Sequence, residues 1–205
     1  MTNPIEDLHA QVRTLAPLQL NEIVLQTSRY EELRVWYPAV LGVDWHFENR
    51  PATPATGKYT PGEKQVRAAD VRASFGRIGA PPGITFALFE LPWLKPPGHV
   101  EPGLNHMQFR EADLDTLVKR VEFLRDAGIH PHRTSNHGPV MSFYFKDPDG
   151  NIVEFCSRNF DTPEEMSAFT KSEAFRNNPS GIELERDEFL ARYHSGIPKK
   201  ELLKI

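Results

Sequence analysis

The chain has 205 residues, of which 39% are hydrophobic and 25% charged, and its net charge of −4 leaves no basic surface of the kind that binds nucleic acid. Its apolar runs are too short to span a membrane, and its polar start lacks the apolar middle of a signal peptide. The single cysteine, Cys156, excludes an internal disulfide and favours a cytoplasmic location.

The first part of the chain predicts a short arm followed by a β-α-β-β-β unit. Residues 1–17 form the predicted N-terminal arm, which Pro17 ends. Apolar residues then recur at helical spacing up to Gly42, a natural helix stop. The predicted elements are a strand at 19–26, a helix at 29–41, a strand at 43–49, an exposed loop at 50–70, and strands at 71–78 and 84–91.

A second unit of the same order follows the proline-rich connector 92–103. The turn Asp147–Gly150, with Pro at its second position, predicts a type I turn before the last strand. The predicted elements are strands at 104–109, 129–134, 140–146 and 151–157, and a helix at 113–127 that buries Leu114, Leu117, Val118, Val121 and Leu124.

The last part of the chain, residues 159–205, predicts a helical C-terminal extension. Its strand signal stops, its charge rises, and helical fragments are predicted around 163–175 and 186–194. We expect this extension either to wrap around the core or to meet a second subunit.

The two units begin with similar sequences that place two ionisable residues in register. Leu20–Leu25 reads LNEIVL and Leu104–Phe109 reads LNHMQF, 84 positions later, so that Glu22 and His106 correspond. This register indicates one site built from both halves. The alternative for His106 alone is a core or edge histidine with an ordinary hydrogen bond.

Two motifs resemble the vicinal oxygen chelate superfamily, which includes glyoxalase I, extradiol ring-cleaving dioxygenases, methylmalonyl-CoA epimerase, and fosfomycin and bleomycin resistance proteins. The first is Trp36–Gly42, and the second is Ser142–Phe155, with its DPDGN turn and the glutamate on the strand after it. The resemblance covers about residues 18–158. It implies an α+β fold in which two βαβββ modules, 18–91 and 104–158, form a curved, mixed, eight-stranded sheet or cup, with helices outside.

The resemblance also implies a divalent metal bound by Glu22, His106 and Glu154. Imidazole and carboxylate suit Fe(II), with Mn(II) or Zn(II) as alternatives, and three protein ligands leave positions open for substrate. Glu154 would be a costly buried carboxylate without a metal or another cation. The chain departs from extradiol dioxygenases at Glu22, where those enzymes carry a histidine, and the more anionic site leans towards Mn(II) or Mg(II). Ala87 stands at the first-unit position that matches Glu154.

Two further residues take roles by the same resemblance. His137 corresponds to an acid/base histidine, and Tyr144 to a tyrosine that hydrogen-bonds the substrate hydroxyl. An imidazole is suited to proton transfer near neutral pH. The alternatives are an exposed loop histidine and a core tyrosine.

The function that these expectations favour is a metal-dependent, dioxygenase-like oxidoreductase acting on a small aromatic diol or phenol, with O2 as a second substrate. The alternatives are a non-redox isomerase, epimerase, lyase or hydrolase on the same cup, and a resistance or binding protein that sequesters an aromatic ligand. A homodimer is expected, with neither nucleic acid nor membrane as a partner.

Overall fold

The described chain forms two compact units. A computed structural model describes residues 12–13, 19–53, 66–81, 83–95 and 104–204. The first unit contains the described residues up to Tyr30 and those of Tyr37–Trp93, and the second contains Glu31–Trp36 and the residues after Trp93. Most of the predicted N-terminal arm and much of loop 50–70 and connector 92–103 lie outside the described residues.

The first unit is a four-stranded sheet with the order β1-β4-β3-β2. Strand β1 runs parallel to β4, and the other neighbours are antiparallel. Helix α1 ends where the sequence predicts, because Gly42 adopts a φ of 69° and donates its N–H to the carbonyl of Pro38. The elements are β1 (Glu22–Thr27), α1 (Tyr30–Leu41), β2 (Asp44–Asn49), β3 (Ala73–Ile78) and β4 (Ile84–Glu90).

The second unit repeats this topology and adds one strand, giving the order β5-β8-β7-β6-β9. Strand β5 runs parallel to β8, and the remaining pairs are antiparallel. The elements are β5 (Met107–Arg110), α2 (Leu114–Asp126), β6 (Arg133–Asn136), β7 (Val140–Lys146), β8 (Ile152–Arg158) and β9 (Ile182–Glu183).

Helix α2 covers one face of the second sheet. Asp113 begins the helix by accepting a hydrogen bond from the Thr116 N–H, which is a common N-terminal cap. Side chains alternate between the two faces of a strand, so the same strands can present apolar residues towards α2 and polar residues on the opposite face. The predicted apolar stripe of the helix is confirmed, since all five of its residues are buried: Leu114, Leu117, Val118, Val121 and Leu124.

The turn between β7 and β8 is held by its own side chains. The Gly150 N–H donates to the Asp147 carbonyl at 2.9 Å, which closes the predicted four-residue turn. The Asp147 carboxylate accepts from both the backbone and the side-chain nitrogen of Asn151, each at 2.8 Å. These bonds fix the register with which β8 returns alongside β7.

The C-terminal extension packs against the second sheet and contributes to the core of the second unit. Phe189 is buried, and its ring meets that of Phe143 edge-on at 5.9 Å between centroids. Thr162 and Glu165 form a reciprocal capping box at the first helix of the extension. Its helices are α3 (Pro163–Thr170), α4 (Glu173–Asn177), α5 (Arg186–His194) and α6 (Lys199–Leu202).

The predicted α+β fold class with two β-α-β-β-β modules is confirmed, and the strands are distributed over two sheets of four and five strands. The fifth strand of the second sheet, β9, belongs to the extension, for which only helices were predicted. A two-residue strand has no periodicity to reveal it in the sequence. In the part of the chain that the structure covers, no helix is long and apolar enough to cross a membrane.

Candidate functional site

A row of polar side chains crosses the second sheet. Gln108 on β5 pairs with Glu154 on β8, Glu154 pairs with Tyr144 on β7, and Tyr144 pairs with Arg133 on β6. Paired residues on neighbouring strands project from the same face of a sheet. The four side chains therefore form one continuous row on the face opposite α2.

The equivalent row in the first sheet is apolar. The same pairing there joins Val24 to Ala87, Ala87 to Phe75 and Phe75 to Phe47. Ala87 thus takes the place that Glu154 has in the second sheet. The two copies share a topology but not this chemistry.

Glu154 is the buried centre of the polar row, with 1% of its surface exposed. Its Oε2 lies 3.0 Å from His106 Nε2, and its Oε1 accepts a hydrogen bond from Gln108 Nε2 at 2.9 Å. His106 lies immediately before β5 rather than on the strand, two residues from Gln108. A buried carboxylate is thus held by one amide and faces one imidazole.

The protonation pattern of His106 suits a bound cation. Its Nδ1 lies 2.6 Å from the Asn105 side-chain oxygen, and because an amide oxygen can only accept, Nδ1 carries the proton. In the neutral ring, Nε2 is then a lone pair that faces the Glu154 oxygen. Two acceptors so close require either a second proton on the imidazole or a metal ion. Ligands about 2.1 Å from a common ion at right angles would be about 3.0 Å apart, so the pair fits a divalent metal.

Glu22, the third predicted ligand, is the first residue of β1 and is exposed. It belongs to the first unit, whereas His106 and Glu154 belong to the second. Within the described residues of either unit, no three side chains of the His, Cys, Asp or Glu type form a metal-binding group. The structure brings two of the predicted ligands into contact, and Glu22 stays a prediction.

His137 and Tyr144 form a second pair on the same sheet. His137 Nδ1 lies 2.7 Å from the Ser180 carbonyl, and its Nε2 lies 2.7 Å from the Tyr144 hydroxyl. A carbonyl can only accept, so Nδ1 carries the proton, and Nε2 accepts from Tyr144 when the ring is neutral. The two residues predicted to handle the proton and the substrate hydroxyl are therefore directly hydrogen-bonded.

Tyr144 connects the two pairs. Burial raises the pKa of its phenol to about 12, with the charge of Glu154 as the next cause. The phenol is therefore protonated at neutral pH and acts as a donor. Its ring lies 6.0 Å from that of His106, and the Arg133 guanidinium lies 5.1 Å from its centre.

Two nearby titratable groups have no place in this arrangement. Burial raises the pKa of the Cys156 thiol to about 11, helped by the charge of Glu154, so the thiol is protonated and a poor nucleophile. Partial burial, followed by the charge of Lys146, lowers the pKa of His132 below its usual 6.5. His132 is therefore uncharged at neutral pH.

Sequence reasoning missed three groups that orient the site. Gln108 could have been found, since it lies two residues after His106 and alternation brings it to the same face. Asn105 could also have been found as the neighbour of a predicted ligand, because metal-bound histidines commonly donate their second nitrogen. The Ser180 carbonyl carries no sequence signal, because any residue has a carbonyl.

The sequence matches a family model over residues 19–155, described as the glyoxalase/bleomycin resistance protein/dioxygenase superfamily. Two similar proteins are from Rhodococcus globerulus. Biphenyl-2,3-diol 1,2-dioxygenase 3 is 34% identical over 92% of this chain and 88% of its own length. Biphenyl-2,3-diol 1,2-dioxygenase 2 is 32% identical over 78% and 73%, respectively.

Solved structures share the fold at lower identity. A glyoxylase/bleomycin resistance protein/dioxygenase domain from Frankia sp. EAN1pec has a TM-score of 0.52 at 17% identity and covers 72% of this chain and 96% of its own. A variant of the fosfomycin resistance protein FosX from Listeria monocytogenes, complexed with Mn(II), has a TM-score of 0.50 at 15% identity, covering 73% and 98%. Since the family model covers most of the chain and the two Rhodococcus proteins are 34% and 32% identical to it, the chain belongs to the glyoxalase/bleomycin resistance protein/dioxygenase superfamily.

Proposed function

We propose that this chain is a metal-dependent, extradiol-type dioxygenase that opens the ring of a small aromatic 1,2-diol with O2. The two Rhodococcus relatives carry the name of such an activity and align over most of their length. Both oxygen atoms of O2 enter the ring-opened product, so the reaction needs no external reductant. A cytoplasmic homodimer stays a prediction.

The proposal rests on one observation: a pair of acceptor side chains and a donor–acceptor pair of side chains lie next to each other at the second sheet. His106 and Glu154 present two acceptor atoms 3.0 Å apart, and Tyr144 and His137 present a donor and an acceptor 2.7 Å apart. Tyr144 and Glu154 are register partners on β7 and β8. A bound diol needs both a place for its oxygens and an acceptor for its protons.

The divalent ion, which we propose to be Fe(II), would be held by Glu22, His106 and Glu154. A divalent ion bound there would polarise the diol oxygens and hold diol and O2 together. Gln108 keeps the Glu154 carboxylate turned towards His106, because it occupies the other carboxylate oxygen at 2.9 Å. Asn105 keeps His106 Nε2 free of a proton in the neutral ring.

Tyr144 and His137 would accept one proton from the diol. A diol O–H placed against the Tyr144 oxygen can pass its proton to that oxygen as Tyr144 passes its own to His137 Nε2. The pKa of about 12 makes a free Tyr144 phenolate costly, so the two transfers should be concerted. The Ser180 carbonyl stabilises the resulting imidazolium through the Nδ1 hydrogen bond.

Oxygen uptake by the metal-loaded protein tests the proposal. Protein loaded with Fe(II) without air and then mixed with biphenyl-2,3-diol and O2 should consume oxygen equimolar with the diol. Protein loaded with Zn(II), which has no redox chemistry, should consume none. The dimethyl ether of the diol is a matched control of similar shape, because it has no proton to give up.

Two outcomes would contradict the proposal. Turnover with Zn(II) or Mn(II) that proceeds without oxygen would indicate the non-redox isomerase, lyase or hydrolase alternative. Diol binding that a chelator does not weaken, without turnover for any metal, would indicate a sequestering protein.

A further inference from the structure

The C-terminal extension contributes a backbone carbonyl to the proton-transfer pair. Ser180 lies 43 residues beyond His137 in the chain, yet its carbonyl oxygen is 2.7 Å from His137 Nδ1. We infer that Ser180–Leu184, here called the 180–184 segment, positions His137 by holding its imidazole as the Nδ1-protonated form with Nε2 turned to Tyr144. The catalytic consequence of this inference rests on the proposed function, whereas the orientation and protonation of the His137 imidazole do not.

Strand pairing holds the 180–184 segment at the edge of the second sheet. The Leu184 N–H donates to the Thr134 carbonyl at 3.0 Å, and Ser135 Oγ donates to the Ile182 carbonyl at 3.1 Å. The pairing continues from β9 along β6, the strand that leads directly into His137. The carbonyl that meets His137 is therefore fixed relative to the strand that carries it.

Gly181 allows the segment to approach the His137 backbone closely. A Cβ atom at this position would lie 2.0 Å from the Asn136 carbonyl oxygen and 2.5 Å from His137 Cα. Its φ of 71° is also one that glycine adopts far more readily than other residues. Any side chain here must push the segment away from His137, and the Ser180 carbonyl would move with it.

Asn136, the residue before His137, connects His137 to the end of the extension. Its side chain, 1% exposed, donates to the Leu203 carbonyl at 2.8 Å. Its side-chain oxygen accepts from the Gly138 N–H at 2.9 Å and from Asn159 Nδ2 at 2.8 Å. Both neighbours of His137 are thus held in place, which fixes the backbone from which the imidazole projects.

The hydrogen bond matters because it decides which nitrogen can accept a proton. With Nδ1 protonated and bonded to Ser180, Nε2 is the acceptor that faces Tyr144. If the proton moved to Nε2, the ring would present a donor to a hydroxyl that is itself protonated. The pair would then have no acceptor for the proton of a diol.

Gly181→Ala tests this inference, and Gly196→Ala is its matched control. Gly196 lies in the same extension with a similar φ of 77°, but a Cβ there meets nothing within 4 Å. Both variants therefore place a Cβ at a similar positive φ, but only Gly181→Ala adds a clash beside His137. The primary readout is the ring nitrogens of ¹⁵N-histidine-labelled protein by NMR at about pH 8.5, where an ordinary imidazole is neutral. His137→Gln identifies the His137 signals.

The wild type and Gly196→Ala should show His137 protonated at Nδ1. Gly181→Ala should move a substantial fraction of the proton to Nε2 and lower kcat for the diol by about 10-fold or more, since small displacements of a catalytic group are costly. Its KM and bound metal should stay unchanged, because the 180–184 segment contributes none of the proposed metal ligands and the change acts on proton transfer rather than on binding. A merely structural role would not shift the tautomer selectively.

Several results would overturn the inference. These are a Gly181→Ala protein that keeps the Nδ1 proton, one whose tautomer shifts while kcat is unchanged, or a Gly196→Ala protein that shows the same losses. If Gly181→Ala does not fold, Leu184→Pro loosens the same segment by deleting the N–H that bonds to Thr134, and the same outcomes apply to it. If the wild type shows no dioxygenase activity, the proposed function fails, but the NMR comparison still decides whether the segment positions His137.

Discussion

Replacing Glu154 with glutamine is expected to abolish the stabilisation of the protein by metal. The carboxylate is 1% exposed, and burying an ion costs several kcal/mol unless a cation compensates it. Glutamine has nearly the same shape without the charge, so the metal-free variant loses both the burial cost and the pairing with His106, and its own unfolding temperature is the reference for any effect of metal. The measurement is thermal unfolding with and without Fe(II) or Mn(II), in the absence of oxygen.

The wild type should gain about 2.7 kcal/mol when free metal is about 100 times its Kd. Glu154→Gln should show no such gain, because residues that merely support a ligand already change affinity by about 10- to 100-fold, and a lost ligand should cost more. Glu183→Gln is the matched control: this glutamate is also in the second sheet, but its side chain is 72% exposed and paired with Arg133. A destabilised Glu154→Gln protein, together with a wild type that metal does not stabilise, would show that Glu154 is only the ion-pair partner of His106.

Replacing His137 with glutamine or Tyr144 with phenylalanine is expected to lower kcat by roughly 100- to 10,000-fold, the usual contribution of acid–base catalysis. Each change breaks the 2.7 Å hydrogen bond between the two side chains. Metal content should be unchanged, since neither residue is a proposed ligand. Steady-state oxygen uptake with biphenyl-2,3-diol, normalised to bound metal, measures the effect.

The double variant should be no less active than the less active of the two single variants, because the effects of replacing groups that act as one unit are not additive. His132→Gln is the control for disturbance of the sheet: its ring lies 6.4 Å from the Tyr144 ring but belongs to neither pair. That variant should keep wild-type kcat. Equal losses in His132→Gln, or multiplied losses in the double variant, would contradict a shared proton path.

The sequence predicted the architecture well because its local signals agree with the fold. The five apolar residues of α2 recur at helical spacing and are all buried, and strand β7 has the predicted bounds, Val140–Lys146. Helix α1 ends at Leu41, next to Gly42, the glycine that predicted its end. Repetition of the unit was also readable, since Glu22 and His106 are in register across 84 positions.

The sequence predicted the site only in part, because a backbone carbonyl, which every residue has, makes one of its contacts. The resemblance grouped His106 and Glu154 as ligands of one ion, and the structure brings these two side chains into contact. The Ser180 carbonyl could not be predicted, because β9 has two residues and pairs across a separation of 46 positions between Asn136 and Ile182. Long-range pairing by a short segment depends on the packing of the whole extension rather than on local pattern.

We propose that Glu22, His106 and Glu154 bind one divalent ion, and anomalous diffraction from crystals loaded with Fe(II) or Mn(II) without oxygen would locate that ion. We expect a single strong peak with His106 Nε2, Glu154 Oε2 and a Glu22 carboxylate oxygen each about 2.0–2.2 Å away. A peak at other residues, or a peak beside His106 and Glu154 from which Glu22 is remote, would contradict it.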